Sequence, residues 1–436
     1  LFEPNNTVLN NYLTETILEN YKTVDKLPIN IISDLLGAHM WQTTVWPSKF
    51  GSTNNSQGEP ARFNASTDVT DKKVCSNGLF YGTNKVQLAN VFTSVYSRPY
   101  LDPNYTLMTR ALDQSLKFLI INPNIKTTLI MMSDATLRAA GFDYSTALSS
   151  FTYTAPGAAL ISGAPAFNLI NRILNMHVIL TPNGELNDLT GSGIVETYGG
   201  EYVRYQNGNV YAAGNKVFNG TVETPVVQPL TTISSSTRIT SNGKVYYQNS
   251  GVLLPTNNNV GYHINQYAGK TTDPYYMFYQ YLQTSTLYTP LNAAITPGAI
   301  NGIQSGVFYT MFIPTNNAIQ DAVNKGFLPG TGTGNVKTPN YDPLKQTQAE
   351  KDLVNRFIQY HILKQTTVVP DGKKTGVYPT LYTAASGDPA TITIASTPGT
   401  MQVTDAQGNR ANLIPANSNI LSNRVVIHQI DNFLRF

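Results

Sequence analysis

Cysteine is nearly absent from this chain: Cys75 is the only one in 436 residues. A single thiol excludes any intrachain disulfide and any multi-cysteine zinc site within the chain, so stability must come from packed cores. Charge is scarce as well. Only 13% of residues are charged, against roughly 25% in ordinary globular proteins. A formal balance of +3 with no Lys/Arg stripe excludes a nucleic-acid surface, which needs clustered cations to neutralise phosphates. No apolar run approaches the ~18 residues of a membrane-spanning helix. Trp41 and Trp46 are the only tryptophans. An initiator Met and an export signal are also missing. The start at Leu1 is read as following a segment that held the signal, a leading helix and a lipid anchor.

What fills the surface instead is Asn, Thr, Tyr and Gly. Amides, hydroxyls and phenols suit an exported protein that meets sugars or other proteins. The length suggests roughly two to four domains at about 100–200 residues each. Sequons such as Asn64-Ala65-Ser66 and Asn219-Gly220-Thr221 arise by chance in an Asn/Thr-rich chain and signify glycosylation only in a eukaryotic source.

Three phrases recur in a fixed order, and internal repetition is the strongest organising signal a sequence offers. Near the C-terminus they read Tyr309-Thr310-Met311-Phe312-Ile313-Pro314-Thr315-Asn316, then Phe357-Ile358-Gln359-Tyr360-His361, then Asn423-Arg424-Val425-Val426-Ile427-His428. Upstream, Leu129-Ile130-Met131-Met132-Ser133-Asp134, Asn175-Met176-His177-Val178 and Asn242-Gly243-Lys244-Val245-Tyr246 repeat the set. A third set opens the chain: Leu1-Phe2-Glu3-Pro4-Asn5-Asn6, Gly37-Ala38-His39-Met40 and Asn77-Gly78-Leu79-Phe80-Tyr81. These phrases resemble the signature of the fasciclin (FAS1) domain. The resemblance implies three tandem FAS1-like domains, residues 1–102, 103–258 and 259–436, with a β-hairpin insertion in the second. It also implies a non-enzymatic adhesion or binding role outside the cell, with no cofactor and no metal. In style the chain is similar to the fasciclin-domain proteins of the Bacteroidetes cell surface, many of them lipoproteins.

The residues give an α+β fold independently. Thr347-Gln348-Ala349-Glu350 is a capping-box pattern at a helix start. Leu353, Phe357 and Tyr360 follow at helical spacing, and Thr366–Val369 reads as a strand. Leu112, Leu116 and Leu119, then Phe167, Ile170 and Leu174, then Ile32, Leu35 and Leu36 mark further amphipathic helices. Helices come early and β-branched strands late in each copy, the pattern of α+β domains. Asn183-Gly184, Asn207-Gly208 and Asn242-Gly243 read as hairpin turns. The Gly-rich run 330–334 reads as a plain loop, since it lacks the Lys-Ser/Thr of a phosphate-binding loop. Thr315 or Asn316 is expected to cap the helix that follows, with Asp134 and Asn6 in the same role in the other copies.

Candidate binding residues are Tyr360, His361, Trp41 and Trp46. The family resemblance implies an adhesive role for the Tyr-His region. The residue chemistry favours a different one, in which His39, His177 and His361 are buried and hydrogen-bond the backbone between helix and strand. His428 reads as an ordinary strand residue. The two tryptophans have the chemistry to stack on sugar faces, with Gln42 and Thr43 reading hydroxyls, but large rings usually serve burial, and both are expected to plug the first core. No nucleophile elbow or paired carboxylates occur, so no catalytic residue is assigned. The expected partner is an extracellular protein, with surface glycan as the alternative ligand.

Overall fold

The computed structural model describes residues 1–184, 191–218, 223–225, 228–232, 240–248, 251–291 and 298–436. The sequon at Asn219 lies outside them. The fold is α+β. Among the described residues one frame occurs three times: a strand, a helix, a second helix that ends on histidine, and a return strand parallel to the first. In the first frame these are β1 (Phe2–Pro4), α1 (Asn6–Tyr12), α2 (Ile29–Ala38) and β2 (Gly78–Thr83). In the second, a helix α3 (Thr106–Gln114) precedes β3 (Thr127–Met131), α4 (Asp134–Ala139), α5 (Ala164–Met176) and β4 (Gly243–Gln248). In the third, α6 (Tyr276–Thr284) precedes β5 (Tyr309–Pro314), α7 (Asn316–Asn324), α8 (Gln348–Tyr360) and β6 (Val425–Ile430). The parallel registers coincide, with Phe2 opposite Tyr81, Ile130 opposite Tyr246 and Phe312 opposite His428.

The short first helices share a start mechanism. Asn5, Ser133 and Thr315 have extended backbone angles, and their side chains accept from the amides of Val8, Thr136 and Ala318. The cap thus falls on Thr315 and one residue earlier than expected at Asn6 and Asp134. A cap residue must leave the helical region, and Asn6 and Asp134 are already inside it. Asp134 instead accepts from the Leu107 amide and the Thr106 hydroxyl. The capping box at Thr347 is present, with the Glu350 carboxylate returning to the Thr347 amide at 2.7 Å.

Thr366–Val369 is not a strand. The strand is Ile362–Leu363, and beyond it the Thr310 hydroxyl takes the place of a ladder partner. It donates to the Thr366 carbonyl at 3.0 Å and accepts from the Val368 amide at 2.9 Å. An antiparallel meander from Gly376 to Ile414 then continues the sheet and rejoins β6 through the Leu413–Ile430 pair. Part of the Gly-rich run also has structure: Gly330–Thr331 pairs with Thr338–Pro339.

The chain divides into two compact units, Leu1–Asp188 with Gln228–Val252, and Leu189–Val227 with Leu253–Phe436. The first holds the first two frames, and the second holds the third. The hairpin at Asn207-Gly208 is formed, with both turn residues at positive φ (50° and 76°), as a tight hairpin turn requires. It belongs to the second unit, where Tyr202 and Ala213 pack with Val369, Leu421 and Val426. Lys374 reaches Glu196 at 2.8 Å in the same unit.

Asn242-Gly243 is not a hairpin turn. It leads directly into β4, which pairs in parallel with β3, and the Asn242 side chain is fully buried. Its amide nitrogen donates to the carbonyls of Ile120 (2.8 Å) and Asn122 (3.0 Å), and its oxygen accepts from the Val95 amide at 2.9 Å. An Asn-Gly pair signals a turn only when its side chain is free. Here it ties three backbone segments together. Asn183-Gly184 closes a turn onto Thr181, and the residues after it lie outside those described.

Candidate functional site

The three central histidines do one job. Each sits at the C-terminal cap of the second frame helix, and each is buried. Nδ1 lies 2.8, 2.8 and 2.7 Å from the carbonyls of Leu35, Ile173 and Phe357, one helical turn back. A carbonyl can only accept, so Nδ1 carries the hydrogen. That leaves Nε2 as an acceptor, and it takes the Gln87 amide in the first frame and the Leu434 amide in the third, both at 3.0 Å. The histidine carbonyls accept from Phe2, Ile130 and Phe312 at 3.0, 2.9 and 2.8 Å. Each histidine therefore latches a helix end to the frame's first strand and, where Nε2 is engaged, to a later segment of chain.

The latch needs a neutral ring, because protonated Nε2 could not accept. Burial supplies that condition by penalising the charged form. It lowers the pKa of His39 and pushes that of His361 down to about 4. His428 is likewise held to about 4 by burial, with Nε2 2.8 Å from the Val368 carbonyl and its ring stacked near Phe312. It faces the interior like every other residue of β6.

Tyr360 is as internal as His361, both at 0% exposure. Its hydroxyl donates to the Thr391 carbonyl and accepts from the Ala406 amide. In this structure the Tyr-His pair presents no side-chain surface to a partner.

The tryptophans separate. Trp41 is half-buried, packs its edge on Phe2 at 4.7 Å and donates its indole N–H to the Thr53 carbonyl at 2.9 Å. Trp46 does not plug the core: it is 52% exposed, with the Lys72 ammonium 6.0 Å from its ring. The core position expected for it is filled by the neighbouring Val45 and Phe50. Trp41→Ala should therefore lower stability by about 2 kcal/mol, and Trp46→Ala by less than about 1 kcal/mol. Denaturant midpoints of the two variants check this, and equal losses would contradict the assignment.

Trp41 borders an open cleft of about 380 Å³ in the first unit. Phe2, Phe80 and Tyr81 are among its lining residues, and Gln42, Thr43, Thr44 and Asn77 supply exposed amides and hydroxyls. No Asp, Glu, His, Lys or Arg side chain lines it. The cleft can hold a hydroxyl-rich or peptide-like group by stacking and hydrogen bonding; the titratable groups in its lining are the Cys75 thiol, the Leu1 amino group and the Tyr81 phenol, which donates to the Val45 carbonyl. Sequence reading found Trp41, Gln42 and Thr43 but not Asn77 or Phe80, which come into place only when β2 pairs with β1. No set of three or more His, Cys, Asp or Glu side chains among the described residues is placed to hold a metal. No helix among them is long and apolar enough to cross a membrane.

Comparison with known proteins places the third frame. Residues 274–435 match the fasciclin domain. Among solved structures, the chain is similar to a FAS1 domain pair from the insect cell adhesion molecule fasciclin I. That match has 14% sequence identity and a TM-score of 0.29, and covers 76% of this chain and 97% of the other. No curated protein matches the chain.

Proposed function

We propose that this chain is a non-enzymatic adhesion or binding protein of the cell exterior. On this reading it consists of three FAS1-like domains, at residues 1–102, 103–258 and 259–436. The observation that carries the reading is the fasciclin-domain match over residues 274–435, together with the return of the same histidine-latched frame at His39 and His177. FAS1 domains are commonly adhesion modules, so the partner is an extracellular protein. The charge-poor, amide-rich surface suits an exported chain. A bacterial surface location, with a lipid anchor on a segment before Leu1, completes the proposal.

A glycan ligand is the second reading, favoured by one feature: the cleft, free of charged side chains, that brings Trp41 together with Gln42 and Thr43. If it holds, Trp41→Phe and Gln42→Ala should each weaken binding of a neutral oligosaccharide about tenfold or more, as loss of an anchor does. Isothermal titration on the folded variants, guided by a glycan array, measures this. Binding to immobilised matrix protein with no glycan retained would support the first reading instead. Neither reading includes turnover. Ester, peptide or glycoside hydrolysis by the purified chain, abolished by a single side-chain change, would overturn both.

A further inference from the structure

A second cleft of the first unit, about 290 Å³, lies between α2 and α3. Tyr21, Pro28 and Ile31 line it from the first frame, and Pro99, Tyr100 and Asp102 from the segment that leads to the second. α3 adds Thr109, Arg110 and Asp113. Pockets for drug-sized ligands run from about 300 to 1,000 Å³, so this one suits a group the size of a single long side chain.

Three charged side chains line the cleft, and two of them are engaged. The Arg110 guanidinium stacks 4.5 Å from the centroid of Tyr144, a ring outside the lining. Asp113 accepts from the Tyr96 hydroxyl at 2.6 Å and holds the Lys117 ammonium at 3.4 Å. The Tyr100 ring is fixed in place, since its hydroxyl donates to Asp34 at 2.6 Å and accepts from the Asn30 amide at 3.2 Å.

Asp102 is different. Its Oδ1 caps the turn Pro103–Tyr105, accepting from the backbone and side-chain amides of Asn104 at 2.9 and 3.0 Å. Its Oδ2 has no hydrogen bond or ion pair among the described residues. Burial, and after it the Asp102 charge, raises the Tyr21 pKa, so this carboxylate stands near the Tyr21 phenol. Thr109 adds a buried hydroxyl oxygen that also lacks a hydrogen-bond partner among the described residues. A threonine inside a helix can return its hydroxyl to the carbonyl one turn back, and Thr109 does not.

The neighbouring Lys117 shows what such walls accept. Its ammonium lies 5.0 and 5.7 Å from the ring centroids of Tyr96 and Tyr100, against the Asp113 carboxylate. A phenol ring attracts a cation through its face, and a carboxylate beside it completes the charge match. Tyr21 and Asp102 repeat that pairing of ring and carboxylate on the cleft lining, and no lysine or arginine is paired with Asp102.

We propose that the cleft binds an alkylammonium group, the end of a partner's lysine side chain or a free amine. The charge sits at Asp102 beside Tyr21, and the stem lies against Pro28, Ile31 and Pro99. The site goes beyond the adhesion reading and does not depend on it.

The test uses the intact chain and three probes: n-pentylamine, Nα-acetyl-lysine methylamide and Nα-acetyl-norleucine methylamide, which keeps the stem and lacks the charge. Saturation-transfer NMR titrations are run at low ionic strength, where exposed charges are least screened. Both amines should bind saturably, and the norleucine derivative should not. Asp102→Asn keeps the Oδ1 cap on Asn104, so it should leave the melting curve unchanged and weaken amine binding about fivefold or more. Tyr21→Leu should weaken it as well. The proposal is overturned if the amines do not bind saturably, if norleucine binds as well as lysine, or if binding ignores both Asp102→Asn and Tyr21→Leu. Capture of an immobilised matrix protein, before and after acetylation of its lysines, separates the two sources. Capture lost on acetylation and on Asp102→Asn assigns the site to a partner's lysine. Capture unchanged by both, with pentylamine still bound, assigns it to a free amine. If the amines bind and no matrix protein is captured, the adhesion reading falls and the site stands.

Discussion

Acidification from pH 7 to pH 5 should destabilise the second unit by about 4 kcal/mol through two histidines alone. His361 and His428 are completely buried, and burial depresses both from 6.5 to about 4. A base whose pKa is lower in the folded state binds protons more readily when unfolded. Its contribution is intact above pH 6.5 and is lost as the pH falls toward 4. A tenfold change in proton affinity is worth about 1.4 kcal/mol, so each histidine loses about 2 kcal/mol by about pH 5 and about 3 kcal/mol by about pH 4. Asp405 favours the charged form of His361, and the value of about 4 already includes its pull. A domain's whole stability is only about 5–15 kcal/mol, so the effect should dominate acid behaviour. Denaturant titrations at about pH 7.5, 6 and 5 measure it. A midpoint that stays flat over that range would show that these rings are not held neutral.

Asn242→Ala should cost the first unit about 3 kcal/mol. The truncation leaves the Val95 amide and the carbonyls of Ile120 and Asn122 without their partner, in a site from which water is excluded. Unpaired buried groups cost about 1–3 kcal/mol each before relaxation. Asn242→Asp should cost more than the alanine. It keeps the acceptor for Val95 but turns a carboxylate toward carbonyl oxygens. Equilibrium denaturation of both variants checks the size and the order. A loss below about 1 kcal/mol, or an aspartate variant as stable as wild type, would contradict the tether.

The frames were legible in the sequence because strand, cap and histidine phrases are local and repeat in order. Phe2, Ile130 and Phe312 are buried as the phrases imply, and all three histidines lie at helix ends. What was not legible depends on contacts between distant segments. Asn242-Gly243 has the composition of a hairpin turn, and only the approach of Val95 and Ile120 reveals its side chain as a tether. Thr366–Val369 has strand composition, but its backbone partners include the hydroxyls of Thr310 and Ser396 and the His428 ring in place of a strand ladder. The Asn207-Gly208 turn reads correctly as a hairpin, yet nothing local indicates that Tyr202 packs with Leu421 and Val426. Trp46 lies five residues from Trp41, and sequence alone could not decide which ring the Phe2 cluster accepts. The cleft beside Trp41 appears only once β1 and β2 are paired.

The central claim is that the Tyr360-His361 pair holds the third frame together from inside and does not touch a partner. The measurement that bears on it most directly is His361→Ala, followed in parallel by chemical denaturation and by binding of the folded fraction to immobilised partner. Loss of the Nε2 acceptor for Leu434 and the Nδ1 donor for Phe357 should lower stability by about 1–3 kcal/mol, with affinity per folded molecule unchanged. An unchanged midpoint together with lost binding would contradict the claim and give the histidine the adhesive role instead.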